Sequence, residues 1–226
     1  MLRKIFFITL FLIIKLTSAI TVKVFSGPDI EPFEELIAKQ RQNQFSQFPY
    51  LMDQGEEFEK FYASAYTHAL TGALAIAYTD DESIAGFLTG MSLEEFDALW
   101  VPYNCELISQ KINGKLNPSE NYYLGDVIVL EKYRGQRIAD TLFKALEEHA
   151  SQHTFKSASF ITIIRAENHP QKPTGYKNPL KVWQRLGYTK SGCIVTYNWP
   201  TRQLDNLKNF QLEDNPCDIW VKDLRD

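Results

Sequence analysis

The sequence is poor in the residues that bind soft metals, with only three cysteines and four histidines in 226 positions. Cys105, Cys193 and Cys217 form no CxxC pair, and His68, His149, His153 and His169 stand at no ligand spacing from them, so no zinc site is expected. An odd count in an exported chain would permit one disulfide and one free thiol without fixing the pair. We read the thiols as buried and unreactive. Excess charge is lacking too: a formal net charge of −4 argues against a dedicated nucleic-acid binder. There is no internal repeat and no low-complexity block. Three patterns of catalytic or nucleotide-binding chains are also missing. Without GxxxxGK[ST] there is no P-loop, without GxGxxG no dinucleotide fingerprint, and without GxSxG no hydrolase elbow.

What is present is a globular composition, 44% hydrophobic and 13% aromatic, in a length that suits one domain with a sizeable core. The first residues, "MLRKIFFITLFLIIKLTSAI", set Arg3 and Lys4 before an apolar run from Ile5 to Ile14, followed by Thr17-Ser18-Ala19. That is the three-part shape of a secretory signal peptide, with cleavage expected after Ala19. The run is short for a permanent membrane span and Lys15 interrupts it, while the absence of a polar face from Ile5 to Ile14 favours the leader over a buried helix or strand extension of the domain. The expected division is a signal peptide over 1–19 and one domain over 20–226, with export to the periplasm or the exterior. Any contact with a membrane would be made through the leader.

From Ile20, "ITVKVF" alternates like a strand and stops at Ser26-Gly27-Pro28. Residues 29–40 read as a helix with Asp29 as cap and Phe33, Leu36 and Ile37 on one face. A second helix begins at Glu56 with Phe58, Phe61, Tyr62 and Ala65 as its stripe. Two apolar runs around Asp80-Asp81-Glu82 make a hairpin. Helices are expected near 94–100 and 105–112, a strand over 122–130, a helix over 135–150 with Leu142, Phe143 and Leu146 inward, and a β-branched strand from Ser157. "NPLKVWQRLGY" carries helix punctuation: Asn178 caps, Pro179 suits the first turn and Gly187 the left-handed stop. "CIVTYNWPT" and "DIWVKDL" complete the sheet around a loop at 201–216. The order implies an α/β fold with a mixed sheet and at least one crossover.

The apolar strand "YYLGDVIVL" runs into "YRGQRIADTLFKALEEHA", a turn that opens a helix. Helix starts leave backbone N–H groups unpaired and attract phosphate. Gly135 frees the backbone, Ala139 allows a close approach, and Arg134 and Arg137 supply donors. Taken alone, such a turn is equally an ordinary strand-to-helix connection.

With its neighbours the segment resembles the acyl-CoA-binding motif of the GNAT (N-acetyltransferase) superfamily: Arg or Gln, two residues, Gly, one residue, then Gly or Ala. Arg134 and Ala139 match the ends, Gly135 fits the common Arg-Gly start, and Arg137 stands where the family usually has glycine. "EEFEKFYAS", "SIAGFLTGMSL", "RAENHPQKP" and "NPLKVWQRLGY" extend the likeness to one subgroup over residues 22–224. The resemblance implies a single GNAT-like domain with a mostly antiparallel sheet, splayed central strands and flanking helices. It also implies acetyl-CoA as co-substrate, no metal, and an unidentified amine of a small molecule or protein as acceptor. Ile128, Val129 and Leu130 would offer main-chain groups to the pantetheine arm, and the segment Arg134, Gly135, Gln136, Arg137, Ile138, Ala139 would cradle the pyrophosphate. Asp126 is the implied base, with a structural hydrogen bond to neighbouring backbone as the competing role. Glu167 and His169 are weaker candidates. Trp183 occupies the place where many members carry a proton-donating tyrosine, and Tyr188 falls at the following strand. Tyr62, Tyr66, Trp100 and Tyr103 are candidate acceptor-lining residues. A non-catalytic acyl-CoA-binding module and a site for another anion are the competing functions. Export and a cytosolic co-substrate stand in conflict, which delivery into another cell's cytosol, a misplaced start or loss of catalysis would each resolve.

Overall fold

The computed structural model describes residues 19–203 and 210–225; the expected leader up to Ser18 and residues 204–209 lie outside them. Seven strands form one mixed sheet in the order β1-β2-β3-β4-β5-β7-β6. They are β1 (Thr21–Ser26), β2 (Ala73–Tyr78), β3 (Ile84–Ser92), β4 (Asn121–Val129), β5 (Ser157–Ile163), β6 (Thr189–Arg202) and β7 (Phe210–Asp223). Every neighbouring pair is antiparallel except β4 and β5. The helices are α1 (Glu34–Phe45), α2 (Glu56–His68), α3 (Leu93–Trp100), α4 (Ile108–Ile112), α5 (Ile138–Gln152) and α6 (Leu180–Arg185). Among the described residues no helix is long and apolar enough to cross a membrane.

The period-2 alternation of β2 divides the core. Leu74 and Ile76 face α1, α2 and α3. Ala73, Ala75 and Ala77 face α5, where their small side chains admit Ile138, Leu142, Phe143 and Leu146 close to the sheet. α5 is the crossover that carries β4 into the parallel β5, and it lies across β1 to β4.

Several local expectations shift. Asp29 does not cap a helix: Gly27–Phe33 forms a 3-10 turn containing Pro32, and α1 begins only at Glu34. On α2 the buried positions are Glu59, Tyr62, Ala63 and Tyr66, while Phe61 is exposed. The stripe is rotated because α2 turns a charged residue inward. Helix α5 starts three residues later than expected, since Gly135 and Arg137 both take positive φ. The loop expected over 201–216 is mostly strand. β6 pairs β7 from Thr189↔Val221 to Arg202↔Phe210, with Pro200 and Pro216 inside the ladder. Pro200 is tolerated because β6 is an edge strand. All three cysteines are free thiols, with Cys217 buried and Cys105 and Cys193 half-buried.

Candidate active site

The turn between β4 and α5 is an array of unpaired donors. Gly135 has φ +81° and Arg137 has φ +60°, so both occupy the left-handed region. Among the described residues no backbone group accepts from the N–H of Gly135, Gln136, Arg137, Ile138 or Ala139; the first amide to be paired is that of Asp140, on Arg137 O at 3.0 Å. Successive amides in such a turn at a helix start form a concave anion site. Arg137 thus adopts the backbone conformation that its glycine counterpart would, and its exposed guanidinium has no partner among the described residues. Arg134 is already engaged: its Nε donates to Val129 O (3.1 Å) and its Nη2 to Gln44 Oε1 of α1 (2.8 Å). It braces the turn.

β4 and β5 pair over three residues only, Asn121↔Ser157, Tyr122↔Ala158 and Tyr123↔Ser159. A side-chain clasp locks that seam: Asn121 Nδ2 donates to Ser157 Oγ (2.8 Å) and Ser159 Oγ donates to Asn121 Oδ1 (2.5 Å). Beyond Tyr123 the strands part, leaving the β5-facing edge of β4 unpaired. Leu130 N–H is bonded to Ala85 O of β3 at 2.9 Å. Because main-chain groups alternate between edges, those of Ile128 also turn to β3, and those of Val127 and Val129 face the gap. Of the expected trio, Val129 N–H is therefore the group presented there.

A cavity of about 140 Å³ passes through this gap. Tyr123 and Val127 of β4 and Ile161 of β5 border it. Phe143 of α5 and Trp183 of α6 line it from one face, and Tyr62 and Trp100 of α2 and α3 from the other. It joins the two halves of the core at the one place where the sheet is open.

The floor carries charge. β3 and β4 slip register between Leu88 and Gly90, so that Gly125 and Asp126 both stand opposite Thr89. This bulge re-aims Asp126, and its backbone N–H donates to Thr89 Oγ1 at 2.9 Å. Glycine is required beside it, since a Cβ at Gly125 would lie 2.2 Å from the Tyr66 hydroxyl. The Asp126 carboxylate lines the cavity and pairs with Arg41 Nη1 rather than with neighbouring backbone. Arg41 Nε also donates to Glu59 Oε2 at 2.7 Å, and its guanidinium lies 3.6 Å over the Tyr62 ring. Arg41, Glu59 and Asp126 are 3%, 2% and 7% exposed, so one cation and two carboxylates share a site almost closed to water. Burial pushes both carboxyls above their ordinary range, and Arg41 only partly opposes it. The guanidinium, held by both, stays charged.

Arg41 and Glu59 were missed in the sequence reading. Their signal was a charged residue of opposite sign at an inward register in each of two consecutive helices. The weaker base candidates lie apart: Glu167 is exposed and paired with Lys172, and His169 Nδ1 accepts from Gln171 N at 3.2 Å in the loop after β5. Tyr188 is buried, its hydroxyl donating to Glu147 Oε1 at 2.8 Å, a packing role. Asn178 does not cap α6, whose N-cap is Pro179; its Oδ1 accepts from Leu180 N at 3.1 Å in an Asx turn just ahead of the helix. Of the aromatic candidates, Tyr62 and Trp100 line the cavity, Tyr66 is buried behind Tyr62, and Tyr103 is exposed. Burial raises the Cys217 thiol at the cavity wall to about 12, so it is no thiolate near neutrality.

A splayed mixed sheet, a strand–turn–helix with outward amides at its centre, and a cavity through the splay define an acyltransferase-type fold. The acetyltransferase (GNAT) family pattern matches residues 34–188, and the chain belongs to that family. No curated protein matches the chain. Among solved structures it is similar to arylalkylamine N-acetyltransferase 2 from Aedes aegypti, at 16% identity and TM-score 0.55 over 91% of this chain and 99% of that one. It is similar also to an aminoglycoside 6′-N-acetyltransferase complexed with coenzyme A, at 12% identity and TM-score 0.53 over 91% and 98%. At such identities the likeness concerns the fold.

Proposed function

We propose that the protein transfers the acetyl group of acetyl-CoA to a primary amine by direct attack of the amine. The observation that carries this reading is the cavity between the unpaired stretches of β4 and β5, with Asp126 on its floor. The residues present fit the co-substrate. The unpaired amides from Gly135 to Ala139 suit a pyrophosphate, Arg137 adds a free guanidinium, and Val129 N–H lies on an open strand edge suited to an amide-bearing arm. When bound, acetyl-CoA supplies an activated thioester. The protein's own work is to hold both partners in line, exclude water and take the amine's proton.

Asp126 takes that proton. Burial raises its proton affinity towards what a base near neutrality needs, and Arg41 fixes its orientation. Trp183, the residue of α6 that lines the cavity, brings no titratable proton, so it supplies no acid for the leaving thiolate. The high proton affinity of Cys217 favours direct transfer over an acyl-cysteine. Export through the leader, with cleavage after Ala19, is part of the proposal. Intact-mass analysis of the exported protein checks it, and retention of residues 1–19 overturns it.

Thermal shift with acetyl-CoA tests the co-substrate: about 2.7 kcal/mol of stabilisation is expected at a hundredfold excess over Kd, and none at saturation sinks the reading. Thiol release in the presence of amines then separates an enzyme from a binding module.

A further inference from the structure

The acceptor half of the cavity carries a chemical preference of its own. Its wall is aromatic and centred on Trp100, whose ring lies 6.3 Å from Phe58, 6.1 Å from Tyr62 and 5.7 Å from Tyr197, centroid to centroid. Trp199 of β6 completes it. Flat apolar bodies gain from such a wall by offset and edge-on ring packing.

The floor is selective by charge. Arg41, Glu59 and Asp126 sum to −1 when both carboxylates are ionised, in a place that water hardly reaches. A buried net charge demands either a proton or a counter-ion. One ammonium supplies it. A zwitterionic amino acid would leave that charge uncompensated, because its own carboxylate cancels the charge its ammonium brings. A second ammonium would fare little better, since Asp126 is the single carboxylate among the described residues lining the cavity. We infer that the acceptor is a primary monoamine with an uncharged aromatic body, rather than an amino acid, a polyamine or a lysine side chain.

This rests on the acetyl-transfer reading, but its test does not need the co-substrate. Equilibrium binding to the full chain, read by calorimetry and by quenching of tryptophan fluorescence, is compared for 2-phenylethylamine, 2-phenylethanol, L-phenylalanine, spermidine and a lysine-containing peptide. 2-Phenylethylamine should bind at least roughly tenfold more tightly than each of the others, the scale of one buried charge contact. Trp100→Leu should weaken 2-phenylethylamine by roughly fivefold and leave n-butylamine nearly unchanged, as ring packing predicts. In Asp126→Asn the preference for 2-phenylethylamine over 2-phenylethanol should disappear. Equal or tighter binding of L-phenylalanine, spermidine or the peptide overturns the inference, as does a Trp100→Leu variant that weakens both amines equally. The comparison of ligands on the unmodified protein decides the matter should either variant fail to fold. Amine binding without stabilisation by acetyl-CoA would remove the acetyl-transfer reading, and with it the acceptor role, and keep only the preference of the cavity for such amines. Stabilisation by acetyl-CoA without amine selectivity would do the reverse.

Discussion

Arg41 holds together what burial would otherwise force apart. Replacing it by leucine leaves Glu59 and Asp126 unpaired in the core, and breaking a buried pair in this way costs roughly 3–5 kcal/mol. Urea denaturation should show the full loss at pH 8 and a smaller one at pH 5, because the abandoned carboxylates escape by taking up protons. A loss independent of pH would mean that they are not the cause. Asp126 obeys a related sign. Its proton affinity is raised in the folded state, so the stability it contributes is fully present below the ordinary carboxylate value of about 4 and is lost as pH rises through the raised one. Its proposed role as base runs the other way, since only the ionised form accepts a proton. Asp126→Asn should lower kcat by roughly 10²–10⁴ and abolish the acid limb of the pH–rate profile, while flattening the pH dependence of Tm. An unchanged profile would remove Asp126 from the chemistry. The candidate Asp126 was legible through its place in "YLGDV", but Arg41 falls past the end of the expected first helix and Glu59 resembles a solvated helix charge until the two helices are seen to meet.

Among the elements, the turn into α5 shows why a departure from a motif need not break a site. Arg137 carries a side chain where glycine is usual, yet its backbone sits at φ +60°. Arg137→Gly should therefore relieve strain of about 1 kcal/mol and raise Tm slightly. It should also weaken acetyl-CoA binding severalfold at low salt and less at high salt, because a surface charge contact is screened. A variant with unchanged affinity at low salt would show that the guanidinium does not meet the phosphates. The turn and helix α5 were legible because a glycine, two arginines and a 3.6-residue stripe fall in sequence order. The full length of the β6–β7 hairpin was not: residues 201–216 read as a loop, and only the edge position of β6 shows how Pro200 is accommodated.

For the molecule as a whole, the single α/β domain with a mixed sheet followed from periodicity, since alternating runs and one amphipathic crossover imply it. The cavity did not, because it depends on where pairing stops, and no residue in β4 or β5 announces that stop. What holds the two halves of the sheet in register is the seam of Asn121 with Ser157 and Ser159. Asn121→Ala should lower stability by roughly 1–3 kcal/mol, measured by denaturation, and speed hydrogen exchange at Tyr123 more than at Leu74; uniform acceleration would argue against a local role. The geometry of that seam has a mechanical meaning. Three paired residues at one end of two diverging strands make a rivet with a free jaw, and a small rotation about the rivet changes the jaw's width along its whole length. Such a change of angle would alter the width of the cavity while leaving the pairing of β3 with β4 and of β5 with β7 in place.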